Sequence, residues 1–177
     1  MNNQQENLID SELSNADGKR PRSLNVLLIL SSIYIVMSFS ATLQSLSDGP
    51  RTEVQMETDT AEFYSSIVEL KDQGIGEGLT DMAGVMIESS FYINNEAFYL
   101  TNNLRLLELI IGAISIVLMF QLKKTGFHVY LFYSLFPIIT TYITLPQKFI
   151  LTASIVLMLI FAALFAFLYG SKLKYMK

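Results

Sequence analysis

Four stretches of the chain contain no Asp, Glu, Lys or Arg: residues 24–46, 109–122, 129–147 and 149–170. A fold that faces water needs charge on its outside, and runs of this length leave no place for it. A helix rises about 1.5 Å per residue, so roughly 20 apolar residues cross a bilayer's hydrocarbon core. The first and last stretches meet that length outright. The second reaches it when its helix begins upstream near Phe98, and the third is adequate. Residues 121–126 are too few for anything but a tight turn between the second and third spans, which therefore pair as an antiparallel hairpin. The expected fold is an all-α membrane protein built as a four-transmembrane-helix bundle. Its organisation reads as a disordered tail (1–21), span one (22–46), an outer segment (47–101), span two (102–122), a turn (123–126), span three (127–145), an outer turn (146–148), span four (149–170) and a basic tail (171–177).

Charge placement turns the count into an orientation, because loops on the cytoplasmic side retain Lys and Arg. Lys19, Arg20 and Arg22 precede span one, Lys123 and Lys124 join spans two and three, and Lys172, Lys174 and Lys177 follow span four. With four spans these eight share one side, so both termini are expected in the cytoplasm. Only Arg51, Lys71, Arg105 and Lys148 fall opposite. Twenty-one residues, mostly polar, stand before the first span, and its apolar run is long for a signal peptide. Small residues such as Ser38 and Ser40 keep cleavage open as an alternative.

The net charge of −4 hides an uneven distribution. Residues 47–101 hold eleven acids, among them Glu53, Glu57, Asp59, Glu62 and Glu69, against Arg51 and Lys71. Met56, Phe63, Ile67 and Leu70 recur at helical spacing, with Asp59 or Thr60 as a cap. After Gly74, Gly76 and Gly78, a second stripe of Leu79, Met82, Ala83, Met86 and Ile93 runs on through Phe98 and Tyr99 into span two. This predicts an extracytoplasmic acidic helical hairpin whose apolar faces need a cover: each other, the bilayer or a protein partner. None of the acids forms the spaced oxygen-ligand loop of a calcium hand.

Chemistry-bearing motifs are few. The chain has no cysteine and one histidine, which removes thiolate and multi-histidine metal sites and cysteine nucleophiles. The run from Gly74 to Gly78 lacks the Lys-Ser/Thr of a phosphate loop and reads as a turn. Glu108 is the one carboxylate inside a span. Arg105 stands one turn before it, and the expectation is an interfacial ion pair. Lys123, Lys124 and His128 are interfacial candidates, His128 as a helix-end hydrogen-bonding group. No midplane charge that could couple ion transport is found. No catalytic residue, cofactor or metal site is expected, nor a nucleic-acid partner. The bilayer is the assured partner.

Small and hydroxyl side chains mark a face on each span. Ser31, Tyr34, Ser38, Ala41 and Ser45 form a stripe on the first. Glu108, Gly112 and Ser115 do so on the second, Tyr130, Ser134, Pro137, Thr141 and Thr144 on the third, and Ala162, Ala166 and Gly170 on the fourth. Such stripes let helices approach closely and bond across the contact. Pro137 withdraws the donor for the carbonyl of Tyr133. Tyr142, Tyr169 and Tyr175, with Phe127 and Phe149, read as an interfacial aromatic belt.

The run Lys19-Arg20-Pro21-Arg22 entering a span, and Lys123-Lys124-Thr125-Gly126-Phe127-His128-Val129-Tyr130 between two spans, resemble a recurrent type of small, uncharacterised four-span bacterial inner-membrane protein with a polar tail and an outer helical segment. The resemblance spans most of the chain. It implies a bacterial cytoplasmic membrane location and brings no activity or functional residues. The leading expectation is a non-enzymatic accessory or assembly subunit acting through the outer acidic hairpin. The alternative is a small channel or transporter with a hydroxyl-lined path along spans one and three.

Overall fold

The computed structural model describes residues 21–72 and 77–177, leaving aside the side chains of Leu70, Lys71, Glu77 and Leu79. The tail expected to be disordered, with Lys19 and Arg20, and the glycine turn at Gly74 and Gly76 lie outside the described residues. Six α-helices occur among them: α1 (Arg22–Asp48), α2 (Glu53–Asp72), α3 (Glu77–Asn95), α4 (Phe98–Phe120), α5 (Lys124–Thr144) and α6 (Thr152–Gly170). One-turn 3₁₀ segments follow at Gln147–Phe149 and Leu173–Tyr175. Helices α1, α4, α5 and α6 are each long and apolar enough to cross a membrane. They form a four-helix bundle.

The bundle is held along a chain of neighbours. The closest packing joins α4 to α5, then α1 to α4, then α5 to α6. Its core contains Leu24, Leu28 and Ile35 of α1, Leu109, Ile116 and Met119 of α4, Tyr130 of α5 and Tyr169 of α6. Around this narrow core the outward surface is apolar: Val36 and Met37 on α1, Ile114 and Val117 on α4, Ile160 and Phe167 on α6 are all exposed, Phe167 at 74%. Water would penalise such a surface heavily, and hydrocarbon would not.

Helix ends follow local chemistry. Helix α1 stops at Gly49, whose φ of 77° suits a residue without Cβ, and Pro50 follows. Helix α4 ends with bonds from Leu122 N–H to the Met119 carbonyl and from Lys123 N–H to the Leu118 carbonyl. That is a Schellman arrangement with Leu122 in the left-handed conformation at φ 57°. The C-terminus closes on the same turn. Lys124 N–H donates to the Lys177 carbonyl, Lys177 N–H donates to the Leu122 carbonyl, and Met176 is buried beside them.

Several boundaries differ from the expected ones. Helix α2 begins at Glu53, where Thr52 and Gln55 exchange side-chain-to-backbone bonds as a capping box. Asp59 and Thr60 are therefore inside the helix and do not cap it. Asp59 pairs with Arg51, and the Thr60 hydroxyl donates to the Met56 carbonyl. Gly78 lies within α3 rather than in the turn. The second stripe does not run unbroken into span two, because the backbone turns at Glu96 and Ala97 before α4 begins at Phe98. Helix α5 starts at Lys124, three residues before the expected 127, and α6 starts at Thr152, three after the expected 149, behind Pro146 and the 3₁₀ turn.

Helices α2 and α3 pack on each other as a hairpin, on which Met56, Ile67 and Ala83 are buried. Its base is fastened to the bundle. The Asn94 side chain accepts from Arg51 N–H at 2.8 Å and donates to the Arg51 carbonyl at 2.9 Å. The Tyr92 ring lies 5.5 Å from that of Phe149, which is buried in the α5–α6 connection.

Candidate functional site

Helices α1 and α6 are not a closely packed pair, and the space between them continues into a cavity of about 440 Å³ bounded by all four bundle helices. One wall is polar. Arg105 and Glu108 of α4 stand beside Tyr34 and Ser31 of α1 and beside Tyr130, Tyr133, Ser134 and Pro137 of α5. The opposite wall is apolar, with Met158, Phe161, Ala162 and Phe165 of α6.

Arg105 and Glu108, three residues apart, meet because α-helical side chains at that spacing share a face. The guanidinium Nη1 donates to Glu108 Oε1 at 2.5 Å, and Nη2 donates to Tyr34 Oη at 2.5 Å. Glu108 is 3% exposed and turns into the bundle. Arg105 lies seven residues into α4, about 10 Å along its axis. The pair thus forms part of a cavity wall, where the sequence suggested two side chains reaching for an interface. A helix face alone does not tell whether it meets lipid headgroups or a neighbouring helix.

Tyr169 of α6 bonds to residues that line the cavity. Its hydroxyl donates to the Leu27 carbonyl at 3.1 Å and bonds Ser31 Oγ at 2.8 Å, and its ring centroid lies 4.6 Å from that of Tyr130. Tyr169 was expected in an aromatic belt and is instead fully buried. A tyrosine at a span end serves either purpose, and here a carbonyl and a serine on the opposite helix capture its hydroxyl. Phe149 is likewise buried, under Tyr92, whereas Tyr142 stays exposed.

The other expected packing residues divide into groups. Gly112 and Ser115 are buried on α4. A Cβ at Gly112 would come within 2.8 Å of the Tyr133 ring and 3.0 Å of Ile35. On α1 the buried line is Leu24, Leu28, Ile35 and Thr42, so the hydroxyl stripe is rotated to one side of it. Ser31 and Tyr34 border the cavity, Ser38 is half-buried with its carbonyl accepting from Thr42, and Ala41 is exposed. On α5 the hydroxyls bond their own helix: Ser134 to the Leu131 carbonyl, Thr141 to that of Pro137, Thr144 to that of Thr140. The helix runs on through Pro137. On α6 Ala162 is buried, Ala166 half-buried, and Gly170 lies against Phe127.

Lys123, Lys124 and His128 are exposed at the basic end of the bundle, where His128 Nδ1 meets the Lys124 carbonyl at 3.0 Å. They are apart from the cavity. No cluster of three metal-ligating side chains occurs among the described residues. Tyr133, Phe161 and Phe165 were not singled out in the sequence as cavity residues. The one signal available was the three- and four-residue spacing of Tyr130, Tyr133 and Pro137, which places two phenols on one face of an apolar helix.

Fold and site together define a multi-pass α-helical bundle whose long apolar helices are consistent with membrane spans, with a partly polar cavity between them and an acidic helical hairpin between the first two. Comparison with protein-family models, curated proteins and solved structures found no match.

Proposed function

We propose that the protein is a non-enzymatic accessory or assembly subunit of a bacterial cytoplasmic-membrane complex, recognising its partner through the α2–α3 hairpin on the outer side. The observation that carries this reading is the hairpin's own surface. Val54, Phe63, Tyr64 and Val68 of α2 and Met82 and Met86 of α3 remain exposed although the two helices already pack on each other. Large apolar side chains left uncovered on an extramembrane element mark a contact surface. The acids around them, including Glu57, Glu62, Glu69 and Glu88, select a partner with a basic rim and an apolar centre. The Asn94 clamp closes the base of the hairpin, and the Tyr92–Phe149 contact holds it against the bundle.

Crosslinking the full chain in its native membranes tests this. A discrete adduct with one protein is expected, and it should be lost in a Phe63→Asp/Val68→Asp double variant that still inserts. A wild-type chain that crosslinks to nothing, or an adduct that survives the double substitution, overturns the reading.

A further inference from the structure

We infer that the cavity between α1, α4, α5 and α6 is a binding site for an uncharged, bilayer-soluble molecule bearing carbonyl-type oxygen acceptors on an apolar body. This inference is independent of the hairpin reading. The size is right for a small ligand, since about 440 Å³ lies within the ~300–1,000 Å³ of ordinary ligand pockets. Access is lateral. Leu30, Tyr34 and Phe161, at the edges of the cavity on α1 and α6, are all about half-exposed, so the opening faces the hydrocarbon along the α1–α6 seam.

The chemistry of the walls selects the ligand. A guanidinium has five N–H donors, and Arg105 directs one to Glu108 and one to Tyr34. Tyr34 accepts from Arg105, so its own proton is left to donate. The hydroxyls of Tyr130 and Tyr133 meet no hydrogen-bond partner among the described residues, although Tyr130 is only 6% exposed. The serine protons are already committed, Ser31 to Tyr169 and Ser134 to Leu131. The spare Arg105 N–H groups and the phenolic protons of Tyr34, Tyr130 and Tyr133 thus have no acceptor among the described residues, and a ligand carrying carbonyl-type oxygens would accept from them. Glu108 neutralises Arg105 at contact distance, which leaves no net charge to attract an ion of either sign. The α6 wall of Met158, Phe161 and Phe165 receives the apolar body.

The test uses the full-length protein in phosphatidylcholine nanodiscs with a diazirine-bearing fatty acid methyl ester as the probe, labelled positions being read by peptide mass spectrometry. Saturable labelling is expected on α6 around Met158–Phe165 and on α1 around Leu27–Tyr34, displaced by the untagged ester. Ala162→Phe, which fills the cavity, should abolish it, and Ala166→Phe should leave it. Tyr133→Phe keeps the ring and removes one donor, so half-saturation should rise by about tenfold. It decides the matter by itself if Ala162→Phe does not fold. Unsaturable labelling spread over the outward helix faces, indifference to both cavity substitutions, or equal capture of the free fatty acid would each overturn the inference.

Discussion

Gly126 shows how one position can mislead when read in one dimension. The sequence placed it in the turn after span two. The structure puts Gly126 inside α5, against the end of α4, and the left-handed residue of that turn is Leu122. A Cβ there would lie 2.7 Å from the Met119 amide nitrogen and 2.9 Å from Leu118 atoms, closer than real contacts allow. Backbone cannot step aside as a side-chain tip can, so Gly126→Ala should cost about 1–3 kcal/mol, the range for overpacking a filled contact. Gly170→Ala, whose Cβ would meet Phe127 at an ordinary 3.5 Å, should be nearly neutral. Reversible unfolding in mixed micelles compares the two, and equal losses would refute the explanation from close approach. Glycine spacing was visible in the sequence. Which glycine touches backbone and which touches open space was not, because that depends on the partner helix.

Elements were legible to the extent that their signals are local. Apolar runs located all four long helices, and the apolar stripes among the acids located the hairpin, although only Met56, Ile67 and Ala83 of those stripes are buried while Phe63, Met82 and Met86 stay exposed. The boundaries moved where a short-range cap outweighed the periodic pattern, as at Thr52 and Gln55. What closes the base of the hairpin was invisible, because Asn94 and Arg51 are 43 residues apart and carry no pattern that links them. Asn94→Ala removes both bonds of that clamp and leaves the Arg51 backbone groups unanswered. The cost should be about 1–3 kcal/mol, confined to the hairpin. Limited proteolysis in micelles should cut α2 and α3 faster while α4 to α6 stay protected. Unchanged cleavage would mean that the clamp does not hold the hairpin down.

For the molecule as a whole, the chain's lack of cysteine makes its orientation directly measurable, since each introduced thiol is the only one present. Cysteines at Glu62 and Glu88 should react with an impermeant maleimide added to intact cells, and cysteines at Lys123 and Lys174 only after lysis. The reverse pattern, or labelling of all four from one side, would overturn the orientation read from the basic residues. By itself the sequence determined the all-α class, the number of long apolar helices and the concentration of acid between the first and second of them. Each of these follows from composition and spacing along one segment, which a helix translates directly into a face or a length. The cavity belongs to tertiary structure alone. The Arg105–Glu108 pair was foreseeable, but its inward direction was not, nor was its company with Tyr34, Tyr130 and Tyr133 or the bonds of Tyr169 to α1. Those depend on which way each helix is turned and on the gap left between α1 and α6, and helix rotation is set by partners distant in the chain.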